Sequence, residues 1–443
     1  MNGCRGAIQL RPYRCRCWKM NSGLNVRDRV QGAFKPRVTL TVRNTWNLYA
    51  EVAWFGVLSG IANAFLAVYV IRVGGSDTHV GLLSALPALI TIFASLPGSR
   101  LVEREQKPLS VLFITAFLNR CGYLAIALVP FFVMTQRADA MVAFVALLTI
   151  PGAIANVAFT TMFGKAVAPE NRARVVAIRN VWVGITSTLV AFCGGKFLDL
   201  VLFPINYQIL FALAFAASLV SAYYLTRIRL PAESSVAPTS TREAPHGARA
   251  FIAMLRGNRR YTRFAFASFV FHWGLFFPGP LYSIYWVRVL NATDGWIGLL
   301  NMIGSATTIV FYPLWGRLTA RRGNRLAIIL ATAGLALYPL TTAFASRIEG
   351  VIPIAFLGGV FSSGFALAFF NGLLEVCPER NRASYIAAYN TLVNVAAFIA
   401  PILATSLTAT FGIYAMLVLG AALRVFGSLL FWMQRDIPSV TMR

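Results

Sequence analysis

Seven ionisable residues stand inside, or at the ends of, long apolar runs, and any chemistry of this chain must begin with them. Glu51, Arg120, His272 and Arg424 lie well within such runs; Lys196, Asp199 and Glu375 stand near their ends. A charged group in hydrocarbon is costly, so it faces a protein interior or a wet cavity and marks a solute path or a proton relay. At 100° per residue, Glu51 shares one helical face with Leu58, Ala62, Phe65 and Tyr69. Partial desolvation makes a carboxylate easier to protonate, which suits a proton carrier. An Arg from a neighbouring helix or an inner loop would instead hold it charged, as a structural ion pair. Both readings stay open for Glu51.

The other polar groups carry similar alternatives. Thr149, Asn156 and Thr160 share a face with Gly152 and Ala153, which suits either a cavity wall or close helix packing. His272 shares a face with Phe276, Gly279, Ser283 and Trp286, and Pro278-Gly279-Pro280 interrupts that run. Prolines free backbone carbonyls, which is tolerated where a helix lines a cavity or is packed in protein. His272 is therefore a proton relay or a satisfied hydrogen-bonding group. Tyr282 and Tyr285 add hydroxyls nearby, and Ser362, Phe365, Phe369, Phe370 and Asn371 form a further aromatic and polar group. Arg120 and Arg424 must each find an acceptor; Glu51 and Glu375 are the acids at suitable depth. Asn180 and Asn390 read as helix caps or as inner-gate bridges.

This inventory lacks the parts of an enzyme. Of three His, His79 and His246 belong to loops or run edges, and Cys15 and Cys17 have neither a second Cys pair nor a His beside them, so no metal site is expected. No paired carboxylates and no phosphate-binding Gly-rich loop occur. No cofactor is expected.

The elements that hold these residues follow from composition. Of 443 residues, 58% are hydrophobic and 12% charged, against about 25% charged in an ordinary globular chain. A membrane-spanning helix needs about 20 mostly apolar residues. Twelve such runs are predicted, near 47–71, 79–98, 109–133, 140–163, 176–195, 204–226, 262–287, 296–315, 325–345, 351–373, 385–408 and 411–433. Unbroken apolar runs disfavour a β-barrel, whose strands alternate. The fold class is an all-α polytopic membrane protein.

The net charge of +25 does not make a nucleic-acid binder, because the cations lie between the apolar runs. Of 40 Lys and Arg, two are inside spans, five follow odd-numbered spans, and the remaining 33 lie in the tails, the central linker or loops after even-numbered spans. Cytoplasmic loops collect Lys and Arg, so both termini are expected in the cytoplasm and the protein in the cell (inner) membrane. Residues 1–45 read as a basic tail in which Met20 is an alternative start; 227–261 read as a polar linker and 434–443 as a short tail.

The strongest pattern is an internal repeat. Asp77-x-x-Val80-Gly81-Leu82-Leu83 recurs as Asp294-x-x-Ile297-Gly298-Leu299-Leu300, and Tyr69-x-x-Arg72-Val73 as Tyr285-x-x-Arg288-Val289. Asn171-Arg172-Ala173 returns as Asn381-Arg382-Ala383. Two six-helix halves, 46–226 and 262–433, follow from it. Parallel repeats of this size are the plan of secondary transporters, with the site between the halves.

Over about residues 45–435 the chain resembles the major facilitator superfamily. That family carries a loop signature, ideally G-x-x-x-D-R-x-G-R-R, after its second helix and a decayed copy after its eighth. Here the second copy is fuller: Gly316, Arg321, Gly323 and Arg325 match, with Ala320 in place of the acid. The first copy keeps Glu103 and Arg104, with Ser99 and Lys107 where glycines or arginine would stand. The resemblance implies a gating role for these loops. It also implies that the first, fourth, seventh and tenth helices line a cavity, which assigns Glu51, Ala62, Asn156, Thr160, His272, Phe276, Tyr282 and Phe369 to it. Arg120 and Arg424 fall in supporting helices as buried structural charges. The Arg usual in the fourth helix of proton-driven exporters is missing, and so is their fifth-helix Gly-Pro pattern.

The expected function is secondary transport of a small solute by a monomer, with Glu51 as the candidate for proton coupling. Apolar and aromatic cavity residues point to an amphipathic compound and to export; the missing exporter signatures point away from it. The alternatives are a transport-inactive sensor or scaffold of the same fold and, more remotely, a membrane enzyme.

Overall fold

The computed structural model describes residues 26–104, 108–230, 257–378 and 382–434. Residues 231–256 of the expected linker, Lys107, the Met20 alternative start and the 434–443 tail beyond residue 434 lie outside the described residues, as do the side chains of Glu103 and Arg104.

Twelve helices are long and apolar enough to cross a membrane, and no strand occurs among the described residues. They are α1 (Val26–Arg72), α2 (Asp77–Arg104), α3 (Pro108–Phe132), α4 (Arg137–Ala166), α5 (Pro169–Leu200) and α6 (Ile205–Thr226). After the linker come α7 (Arg259–Val289), α8 (Asp294–Arg322), α9 (Asn324–Ala343), α10 (Val351–Val376), α11 (Arg382–Phe411) and α12 (Ile413–Met433). Short joints follow from turn chemistry, most sharply at Gly323 between α8 and α9, whose φ of +81° side-chain-bearing residues rarely adopt.

The neighbours repeat as the sequence does. In the first half α1 packs on α5 and α6, α6 on α3, α3 on α4 and α4 on α2. In the second, α7 packs on α11 and α12, α12 on α9, α9 on α10 and α10 on α8. The halves meet along two equivalent seams, α5 with α8 and α2 with α11. The repeated glycines make those seams close. A Cβ on Gly298 would lie 2.4 Å from the carbonyl oxygen of Ala191, and one on Gly81 would lie 2.3 Å from Oγ1 of Thr405.

Span α7 is built in pieces. Its α-helix Arg259–Phe276 gives way to a short helix, Gly279–Ile284, and a π-helical turn, Tyr285–Val289. Pro278 has no N–H to offer the carbonyl of Gly274, and Pro339 in α9 has none for Leu335. Both carbonyls go to Arg424: its Nε donates to Gly274 O at 2.7 Å and its Nη1 to Leu335 O at 2.7 Å. Nη2 reaches Leu275 O at 3.4 Å and the Tyr282 hydroxyl at 3.1 Å. Arg424 thus repairs two proline gaps at once. The expected Arg424–Glu375 pair does not form, because peptide oxygens already fill the guanidinium and Glu375 accepts from Asn324 Nδ2.

This yields a stability prediction. Arg424→Leu strands two buried carbonyls at about 1–3 kcal/mol each, so its melting temperature in detergent should fall sharply. Adding Pro278→Ala and Pro339→Ala restores both N–H donors and should recover part of the loss. No recovery would mean that the arginine acts by packing alone.

Three helices start before their apolar runs. Helix α1 starts at Val26, so residues 26–45 of the basic tail are helical even though Pro36 lies among them. Helix α5 starts at Pro169, a residue suited to the first helical turn, and α11 at Arg382. Asn180 and Asn390 therefore lie inside these helices, exposed, and cap neither.

Candidate functional site

The ends of the molecule differ. At the end carrying the joints after odd-numbered spans, the repeated Arg and Asp pair crosswise between halves. Arg72 closing α1 meets Asp294 opening α8 at 3.3 Å, and Arg288 closing α7 meets Asp77 opening α2. The two pairs are related by the repeat yet unequal. The Asp294 side chain is 9% exposed and also accepts from the Tyr207 hydroxyl at 2.8 Å; that of Asp77 is 28% exposed. Asp199, from the last turn of α5, caps α8 across the seam, accepting from Gly295 N and Thr293 Oγ1, each at 3.0 Å. A carboxylate there complements the N-terminal partial charge of α8. The opposite end is the one where α1 begins and α12 ends. There Asn156 and Thr160 of α4, Asn180 of α5 and Asn390 of α11 are exposed.

A cavity of about 290 Å³ opens among α1, α3, α4, α5 and α6. Glu51 stands in its wall, buried, with Arg179 Nη1 donating to its Oε2 at 2.8 Å. Ser221 donates to the other oxygen at 3.2 Å and accepts from Arg120 Nη2 at 2.9 Å. Arg120 thus reaches Glu51 only through a hydroxyl, and Arg179 holds the direct contact. Arg179 also lies 4.7 Å over the Phe159 ring, and its Nη1 bonds Leu48 O at 2.7 Å. Asn119, Asn156 and Gly152 line it too, together with Phe55 and Leu112.

The remaining expected cavity residues do not gather here. Phe65 and Tyr69, on the Glu51 face of α1, are fully buried, Tyr69 stacking on Tyr207 with centroids 4.5 Å apart. That face packs into its own half and Ala62 lines neither cavity, because helical periodicity picks a face without saying what covers it. His272 lies away from both cavities. It is buried among Phe276, Phe365, Phe369 and Tyr389, and its Nδ1 bonds Ser268 O at 2.7 Å. His272, Phe276 and Phe369 form packed aromatic core there. Tyr282 lines a second cavity, of about 340 Å³, among α7, α8, α9, α10 and α12, with Trp286, Asn301, Ser305 and Arg424. Thr160 stands one turn beyond the first cavity, its hydroxyl bonded to Asn156 O at 2.9 Å.

Comparison with known proteins decides the family. The sequence profile of the Major Facilitator Superfamily matches residues 52–282 and 264–441. The chain belongs to that superfamily. Among solved structures, the nucleoside transporter NupG is similar with a TM-score of 0.64 at 11% identity, covering 89% of this chain and 98% of that one. A D-xylose-proton symporter gives 0.64 at 16% identity, with coverages of 91% and 98%. A POT family transporter in complex with 5-aminolevulinic acid gives 0.69 at 12%, covering 88% and 95%. No curated protein sequence matches. At these identities the structures share the fold.

Within this superfamily frame, the loop signature after α8 has two parts. Gly323 makes the turn, and Arg325 Nη2 caps the end of α12 by donating to Trp432 O at 2.9 Å. Arg321 is exposed. Gly316 has room for a side chain, since a Cβ would meet only Leu367 at 3.8 Å. Gly323→Leu is therefore expected to slow transport several-fold with insertion intact, and Gly316→Ala to leave it unchanged; initial rates at matched abundance check both. Sequence reasoning missed Arg179, counted as a loop cation, and Ser221. It found Arg72, Asp77, Arg288 and Asp294 as repeat positions without assigning them work.

Proposed function

We propose that this superfamily member is a proton-coupled secondary transporter moving a small amphipathic solute by alternating access. It works as a monomer in the inner membrane, with both termini in the cytoplasm. The positive-inside bias of 33 cations against five supports that orientation. In it, the crosswise pairs form a closed outer gate, and the first cavity is reached from the cytoplasm. The observation that carries the reading is Glu51: a buried carboxylate at a cavity wall, held by one arginine and one hydroxyl. Protonation of Glu51 would release Arg179, so proton binding and solute binding meet at one guanidinium. The lining combines charged and polar groups with Phe55, Leu112 and Phe159, which supports an amphipathic solute.

The test is accumulation in proteoliposomes. With an imposed proton gradient, the purified protein should concentrate at least one member of an amphipathic solute library, and a protonophore should abolish this. Equilibration without accumulation, whatever the gradient, would contradict coupling.

A further inference from the structure

The two buried arginines offer an internal comparison. Arg424 is filled: Nε, Nη1 and Nη2 all donate to carbonyls or the Tyr282 hydroxyl. Arg120 is 4% exposed, yet only Nη2 has a partner; Nη1 is buried without one. Arg120 also stands in the wall of the first cavity, whose charged residues are Arg120, Arg179 and Glu51. Two cations against one anion leave one positive charge uncompensated there. A buried donor without an acceptor is costly, and a guanidinium beside an open cavity is best satisfied by an acceptor that arrives from outside. Charge-assisted bonds to an anion are the strongest available.

From this we infer that the first cavity binds an organic carboxylate with an aromatic or branched apolar body. The carboxylate meets the Arg120 guanidinium, which turns its unpaired Nη1 toward it, and competes with Glu51 for Arg179. The body lies along Phe55, Phe159 and Leu112. Phe159 beneath Arg179 holds the guanidinium plane in place, which suits recognition of a planar carboxylate. The inference deepens the proposed function by naming the solute class of the same site, and it rests on that reading only for the solute's being carried.

Equilibrium dialysis of the purified full chain in detergent tests it with 2-naphthoate, its neutral amide 2-naphthamide and the cation 2-naphthylmethylamine. The carboxylate should bind at least tenfold more tightly than either analogue. Arg120→Gln, which keeps a donor for Ser221, should weaken the carboxylate far more than the amide and so erase that preference. Should Arg120→Gln fail to fold, Glu51→Gln carries the test: it removes the competing carboxylate and should tighten naphthoate several-fold and the amide far less. Equal binding of the three compounds would overturn the inference. So would a preference that survives Arg120→Gln in folded protein, or naphthoate affinity unmoved by Glu51→Gln. Selective binding without accumulation in proteoliposomes would contradict the transport reading and leave this one intact. Accumulation of a neutral or cationic solute, indifferent to Arg120, would do the reverse.

Discussion

Glu51→Gln should abolish proton-driven accumulation in proteoliposomes while preserving exchange of solute at equal concentrations. Gln keeps the shape and a hydrogen bond to Ser221, but it cannot carry a proton. If Glu51 couples, the loss is total for accumulation and small for exchange. A purely structural Glu51 predicts another pattern. Breaking a buried pair leaves Arg179 uncompensated at about 3–5 kcal/mol, so abundance and exchange would fall together. Arg179→Gln would then restore abundance in the double variant. Normal accumulation by folded Glu51→Gln would remove the coupling role altogether.

Asp294→Asn should cut the transport rate at least tenfold, whereas Asp77→Asn should change it by less than threefold. The two acids are equivalent in the repeat but not in burial. Asp294 sits among Arg72, Tyr207 and the capped start of α8, largely shielded from solvent. Removing its charge weakens the bonds that Arg72 and the buried Tyr207 hydroxyl make to it, at about 1–3 kcal/mol. The half-exposed Arg288–Asp77 pair is worth about 0–1 kcal/mol. A difference of 1.4 kcal/mol is tenfold in an equilibrium, so only the first substitution should depopulate the closed outer gate. Charge reversal at both Arg72 and Asp294 should recover part of the rate. Equal effects of Asp77→Asn and Asp294→Asn would show that burial does not set the gate's strength.

Much of this molecule is legible in its sequence, for physical reasons. Apolar run length dictates the spans, and the repeat of Asp77-x-x-Val80-Gly81 as Asp294-x-x-Ile297-Gly298 dictates two equivalent halves. The depth of Glu51, Arg120 and Arg424 is legible too, since a charge within an apolar run must be buried. Partners are harder. Arg179 counts as a loop cation when only hydropathy is read, although Pro169 signals that the helix starts ten residues earlier (179 − 169). Arg424 invites an acid, whereas its acceptors are the carbonyls four residues before Pro278 and Pro339. That signal was available, but only to a reading that follows each proline to the oxygen it strands. The crosswise pairing of Arg72 with Asp294 lies beyond any one-dimensional pattern. The repeat equates the residues, and only the packing of α5 on α8 brings them together.

In the proposed transport cycle the halves rock about the seams and the crosswise pairs hold one end shut. Spin labels on Thr78→Cys and Val289→Cys flank the Arg288–Asp77 pair, at the start of α2 and the end of α7, both exposed. Double electron–electron resonance between them should show a short distance in the closed state and a longer one when the gate opens. In lipid nanodiscs both populations should be present, and Asp294→Asn, a site on the other seam, should shift weight to the longer distance. A single distance, identical with and without Asp294→Asn and unmoved by pH or 2-naphthoate, would contradict alternating access in this protein.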